Sequence, residues 1–359
     1  MRSSAAILTL ALASAAGCDR TPEAKPDVTV LAPSPRPAVS NAEVAPSPAA
    51  SPSAPPTTTS YRLPAAARVV AIGDLHGDLD ALRATLRLAG AIDSDDRWIG
   101  KDLTVVQTGD QVDRGDRDRE VLDVIEKLEA DAHAAGGAFY VLIGNHELMN
   151  ASFDFRYVSR KSFGGFADLS RQAAGAVERL PEEQRGRGAA FAPGGSYARK
   201  LAKHQTVALV GDSLFAHGGV LPVHVDYGLD RINREASDFL NGKLRALPPA
   251  LSAEDSPVWT RFYGGELADE GCQVLKRVLD QVGAKRLVVG HTVQQAGING
   301  ACQDRVFRID VGLSAYYGEH PAQVLEITSQ GARVLKAGTA TDSSARSPKK
   351  SQPASPALH

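Results

Sequence analysis

Apolar residues in this chain gather into short unbroken runs separated by glycine-rich turns. The run Arg68-Val-Val-Ala-Ile-Gly73 suits a strand buried on both faces. Behind it, residues 78–90 place Leu79, Leu82, Leu86 and Ala89 on one helical face, and Gly90 provides a C-terminal stop. A second unit follows, with a strand at 103–107 and a helix of about 117–134 that turns Val121, Val124, Ile125 and Leu128 inward. Residues 138–144 predict a third strand. Shorter runs at 206–210, 213–216, 286–289, 306–311 and 323–327 predict further strands, and 273–282 a further helix. Strands alternating with helices point to an α/β architecture, with the later strands in a second sheet.

The flanks read differently. Residues 1–17 have a basic start and a short apolar run, too short to span a bilayer as a mature helix and suited to a secretory signal. The run ends in Ala15-Ala16-Gly17-Cys18, which resembles a bacterial lipobox and would make Cys18 the lipidated first residue of an exported protein anchored in a membrane. A plain cleaved signal with an incidental cysteine is the alternative. Residues 18–61 are rich in Pro, Ala, Ser and Thr, as are residues 338–359, so a tether and a disordered tail are expected around a domain at 62–337. The exported state places the chain in the periplasm or on the cell surface.

With 359 residues, 43% of them hydrophobic, the chain can bury one sizeable core. A formal charge of −2 gives no electrostatic reason to expect nucleic acid. Three cysteines are too few for a disulfide scaffold. Outside the cytoplasm Cys272 and Cys302 either pair or stay free thiols; the sequence leaves both open.

The chemistry lies at the strand exits. Gly73-Asp74-Leu75-His76-Gly77, Gly109-Asp110-Gln111-Val112-Asp113-Arg114-Gly115 and Gly144-Asn145-His146-Glu147 each follow a predicted strand, as do His217-Gly218-Gly219 and Gly290-His291-Thr292. In open α/β sheets ligands bind at the carboxyl ends of strands. So many carboxylates cannot crowd together without a cation. Oxygen and imidazole donors suit manganese, iron or zinc. The glycines let the backbone bend close to such a centre.

These five motifs, in this order, resemble those of the phosphoprotein-phosphatase type of calcineurin-like metallophosphoesterases. The segments "GNHELMN", "DFRYV", "VVGHTVQQAGIN" and "RIDVGLS" narrow the resemblance to the bacterial Shewanella-like protein phosphatases. The resemblance implies an α/β fold of two β-sheets sandwiched by helices, with the site at strand C-terminal ends. It implies two divalent ions, manganese favoured, with Asp74 and His76 on the first, Asp110 bridging, and Asn145, His217 and His291 on the second. His146 is then the general acid, oriented by Asp113, while Arg114 and Arg261 grip the phosphate. Glu147 is expected to be a structural hydrogen-bonding residue. The implied reaction is hydrolysis of phosphomonoesters, on proteins or small molecules, by a metal-activated hydroxide.

Two other functions are compatible with these residues: a nucleotide hydrolase of the diadenosine-tetraphosphatase kind, and a non-catalytic metal- or phosphate-binding protein. The charged run Asp116-Arg117-Asp118-Arg119 is expected to be mostly a solvated helix start. Arg156 and Lys161, in the insert between Glu147 and His217, are either substrate contacts or ordinary exposed basic residues.

Overall fold

The computed structural model describes residues 60–338. The expectations for residues 1–17, for lipidation at Cys18, for the tether up to residue 59 and for the tail from 339 lie outside the described residues. Two positions given to the tether are held by the domain: the Ser60 carbonyl accepts from the Gln205 side chain at 2.7 Å, and Tyr61 is held through its backbone. Tyr61 accepts a hydrogen bond from the Leu209 amide at 2.6 Å, and its own amide donates to Asp230 at 2.7 Å.

One sheet has five strands. Its parallel centre is β2 (Arg68–Ile72), β3 (Thr104–Gln107) and β4 (Ala138–Val141). Antiparallel to β2 runs β10 (Gln323–Thr328), which is capped by β11 (Gly331–Lys336). The other sheet has six strands, ordered β1 (Arg62–Leu63), β5 (Val207–Val210), β6 (Ser213–Ala216), β7 (Arg286–Val289), β9 (Val306–Arg308) and β8 (Asn299–Ala301). Within it β6, β7 and β9 are parallel.

The connections carry α1 (Leu79–Leu88), α2 (Asp118–Ala134), α3 (Asn145–Ala151), α4 (Arg160–Gly164) and α5 (Glu182–Phe191). After them come α6 (Ser196–Leu201), α7 (Pro222–Tyr227), α8 (Leu229–Leu240), α9 (Pro249–Ser252) and α10 (Asp269–Val282). Helix α1 starts where the Asp78 carboxylate accepts from the Asp80 and Ala81 amides, and Gly90 follows its end at a φ of 71°.

Strand alternation sorts the core into layers. Ala208, Val210, Phe215 and Val288 pack with the five-stranded sheet and with the inward faces of α1 and α2. Their neighbours Val207, Leu209, Leu214, Leu287 and Val289 point the other way, against Ile232 and Phe239 of α8 and Leu275 and Val278 of α10. Two sheets therefore stack between helical layers, and each fully buried Val or Leu contributes roughly 1.5–3 kcal/mol.

The last predicted strand departs from expectation. It joins the first sheet, not the second, because β10 pairs with β2, where Arg68 of β2 reaches the buried Glu326 at 2.7 Å. Residues 138–144 also divide. Only Ala138–Val141 pair in the first sheet, while Leu142 and Ile143 turn to Gln205 at the start of the second.

Candidate active site

Strands β2, β3, β4, β6, β7 and β9 deliver their C-terminal ends to one place. Asp74 and His76 follow β2, Asp110 and Asp113 follow β3, Asn145 and His146 follow β4, His217 follows β6, His291 follows β7 and Asp310 follows β9. All nine are buried. His76, Asp110, Asp113, Arg114 and His291 have φ between 46° and 72°, a region non-glycine residues occupy at a cost of about 1–3 kcal/mol each. Neighbouring loops hold them there. The Asp110 carbonyl accepts from the Leu75 and His76 amides at 3.0 and 2.9 Å, and the Glu147 carboxylate accepts from the amides of Asp110, Gln111 and Gly144. Glu147 is thus the hydrogen-bonding residue the sequence suggested. Gly109 must be glycine: at a φ of 104°, a Cβ would lie 2.7 Å from the Gly144 nitrogen and 2.9 Å from His217 Nδ1.

Two groups of donor atoms emerge, His76, Asp110 and His146 in one and Asp110, His217 and His291 in the other, each with its atoms within 4.8 Å of one another. Asp110 is common to both. Its Oδ2 lies 3.2 Å from His217 Nε2, 3.7 Å from His146 Nε2 and 3.8 Å from His76 Nε2. The Asn145 side-chain oxygen lies 3.0 Å from His217 Nε2. The Asp74 carboxylate accepts from the His291 amide and sits 3.9 Å from His76 Nε2.

The four histidines are anchored in two ways. His76 Nδ1, His217 Nδ1 and His291 Nε2 each meet a backbone carbonyl, of Val112, Thr108 and Trp259, at 3.1, 3.0 and 3.0 Å. A carbonyl only accepts, so each ring donates through that nitrogen and keeps the other free as a lone-pair donor. His146 Nδ1 instead meets a carboxylate, Asp113 Oδ2, at 2.7 Å.

Electrostatics follow this difference. Burial holds His76 well below the usual histidine range, and burial with the neighbouring His217 holds His291 at about 2, so both present the neutral form a ligand needs. Burial also opposes a charge on His146, but Asp110 and Asp113 overcome it and its pKa is raised. For Asp110, burial is outweighed by His217, His146 and His76, and its carboxyl lies well below the usual carboxylate range. Asp74 is pushed well above that range by burial, Asp310 and Asp110, and burial pushes Asp310 up to about 6. Carboxylates crowded against lone-pair nitrogens in this way are a donor set that divalent cations fit.

The rim carries Arg114, whose guanidinium lies against the His76 ring and the Tyr317 hydroxyl, with Tyr157, Tyr316 and Tyr317 at 5.5, 5.9 and 5.2 Å. Arg261 donates to the His291 carbonyl at 2.7 Å and to Thr292 Oγ1 at 3.1 Å, which places it beside the site. Arg156 and Lys161 are engaged with Asp154 and Asp116 at 2.7 and 3.0 Å. Asp118 corrects the expectation of a solvated helix start. It is fully buried and ion-paired to Arg187 at 2.7 Å, because an insert helix covers this end of α2.

The model of the calcineurin-like phosphoesterase family matches residues 67–295 of the sequence. The chain belongs to the calcineurin-like phosphoesterases. Within that family it belongs with the Shewanella-like protein phosphatases. It is 42% identical over 301 residues to Shewanella-like protein phosphatase 2 of Arabidopsis thaliana, covering 75% of this chain and 77% of that one. To Shewanella-like protein phosphatase 1 of Plasmodium berghei it is 27% identical over 281 residues, covering 75% and 74%. Among solved structures, a cold-active protein tyrosine phosphatase superposes with a TM-score of 0.64 at 25% identity, over 77% of this chain and 78% of that one. A calcineurin-like phosphoesterase is a dinuclear metal-dependent hydrolase, and the shared Asp110 suits a two-ion centre.

Sequence reasoning missed Arg187, Asn150 and Tyr317. Asn150 lies four residues after His146 on α3 and bonds back to its carbonyl at 2.9 Å, so helical spacing could have found it. Arg187 and Tyr317 carry no comparable signal.

Proposed function

We propose that this chain is a dinuclear metal-dependent phosphatase that acts on phosphoproteins and prefers phosphotyrosine. The carrying observation is the split anchoring of the four histidines, three on carbonyls and one on Asp113. It supports His76, His217 and His291 as residues that would hold the cations, completed by Asp74, Asn145 and Asp110, the donor common to both groups. It supports His146 as the general acid, since a neighbouring carboxylate keeps the imidazolium charged. When bound, divalent cations would supply Lewis-acid polarisation of a phosphoryl oxygen and a lowered pKa for a water. Arg114 and Arg261 orient the phosphate through paired N–H donors. His146 Nε2 gives its proton to the leaving oxygen as the P–O bond breaks, and Asp113 holds the charged ring in place. We favour manganese, which accepts this mixture of oxygen and imidazole donors.

An aromatic rim supports the tyrosine preference. Tyr157 and Tyr316 are exposed aromatic side chains beside Arg114, and Tyr157 stands 5.1 Å from the His146 ring. A flat aryl ester can stack on such a rim in a way a serine ester cannot. The likeness to a cold-active protein tyrosine phosphatase supports the same preference. The test is phosphate release by the manganese-loaded protein from matched phosphotyrosine, phosphoserine and phosphothreonine peptides. Turnover fastest on phosphotyrosine and lost in Asp110→Asn is expected; equal rates on all three would sink the tyrosine preference, and no turnover the whole reading.

We also propose export, with Cys18 as the lipidated residue. Its supports are residues 1–18 and the disulfide between Cys272 and Cys302, whose Cα atoms stand 5.4 Å apart, since such bonds persist in oxidising compartments.

A further inference from the structure

A buried arginine from the insert enters the catalytic machinery from behind. Arg187 lies on α5, fully buried, with its guanidinium beside the Phe166 and Phe191 rings at 5.3 and 4.9 Å. Its three nitrogens are all engaged: Nη2 donates to Asp113 Oδ1 at 2.9 Å, Nε to Asn150 Oδ1 at 2.7 Å, and Nη1 to Ser162 Oγ at 2.8 Å and Asp118 Oδ2 at 2.7 Å. Asn150 in turn donates to the same Asp113 Oδ1 at 2.8 Å. Oδ1 is thereby fixed by two donors and Oδ2 is aimed at His146 Nδ1. Gly186, whose Cβ would sit 2.2 Å from the Phe166 carbonyl oxygen, lets α5 approach closely enough for this reach.

The charges add to the geometry. Asp113 and Asp118 bring two negative charges into a fully buried space, and Arg187 returns one positive. Pairing with Arg187 makes it costly for the buried Asp113 carboxylate to turn.

We propose that Arg187 is a positioning residue for catalysis: it orients Asp113, and through Asp113 the imidazolium of His146, so that the insert completes the acid that protonates the leaving group. The assignment rests on His146 acting as that acid. In the step concerned, the phosphorus–oxygen bond of the ester breaks and its electron pair takes the Nε2 proton of His146, while the water oxygen forms the new bond to phosphorus, keeping one proton and losing the other to solvent. Arg187 exchanges nothing and only fixes direction.

A misaimed acid hurts poor leaving groups most. The manganese-loaded full-length protein is assayed on a series of substituted phenyl phosphates, from p-nitrophenyl to unsubstituted phenyl, and on a phosphoserine peptide. Arg187→Met is expected to lower kcat on the order of 10²-fold for the phosphoserine peptide. For p-nitrophenyl phosphate the loss is a few-fold, because that leaving group needs little protonation. In a His146→Gln background the same substitution is expected to cost almost nothing further, since both changes disable one acid. A uniform loss across the series, or losses that multiply in the double variant, would overturn the proposal and make Arg187 only a structural ion-pair partner. Ser162→Ala removes one of the guanidinium's anchors at little risk to folding. It is expected to show the same leaving-group dependence, several-fold smaller. If Arg187→Met does not fold, a flat response in Ser162→Ala overturns the proposal instead. A wild-type protein that leaves every ester intact would refute the phosphatase reading and this role with it, whereas wild-type turnover with a flat variant response refutes this role alone.

Discussion

At the residue scale, the proposed mechanism divides the chemistry between His146 and Asp110 although they stand only 3.7 Å apart. Each has a different test. His146→Gln removes a proton donor but leaves the carbonyl-anchored histidines and the carboxylates in place. It is expected to keep two equivalents of manganese by elemental analysis while losing roughly 10²–10⁴ in turnover of unactivated esters. Metal content falling toward one equivalent would make His146 a ligand and end its role as the acid. Much of this pair was legible, since Asn145-His146-Glu147 and Asp110 fall in motifs at strand exits. The aim of each ring was not. Whether a nitrogen faces a carbonyl or a carboxylate depends on residues 32 to 109 positions away, such as Trp259 for His291 and Thr108 for His217.

At the element scale, α5 shows why the insert was opaque. Glu-Glu-Gln-Arg-Gly-Arg-Gly-Ala-Ala-Phe has two glycines and no apolar stripe, so helical periodicity gives no sign of it. The helix exists because small residues let it press against Phe166 and because Arg187 finds buried anions. Helix α10 is the opposite case. Its leucines and valines predict it, and only its start moves, from 273 to Asp269. Cys272 in its first turn is bonded to Cys302 in the turn between β8 and β9, which resolves the choice between a bridge and free thiols. Linking residues 30 positions apart restricts the unfolded chain by about 3–4 kcal/mol. A Cys272→Ser, Cys302→Ser double variant is therefore expected to melt on the order of 10 °C lower, with kcat of the folded protein unchanged. Melting curves that superimpose would show that the bridge does not constrain the unfolded chain.

At the scale of the whole molecule, the formal charge of −2 is nearly balanced, so the proposed substrate attraction is local, through Arg114 and Arg261. Export is a statement about the whole molecule too. Expressed in a bacterium, the full chain is expected in the membrane fraction and labelled by a palmitate analogue, and Cys18→Ser is expected to abolish both. Soluble, unlabelled protein from the unaltered chain would leave the plain cleaved signal.

The sequence by itself determined the central strands, the glycine-bounded loops and the residues that meet at their ends. These are local properties, a run of apolar residues or a turn that only glycine permits, and they are written over a few consecutive positions. Only the tertiary structure decided which sheet β10 joins, which nitrogen of each histidine is free, and that Arg187 stands behind Asp113. Those outcomes depend on burial and on partners distant in the chain. An ion pair or a hydrogen bond gains its strength when folding removes water from around it, and no stretch of sequence carries that information alone.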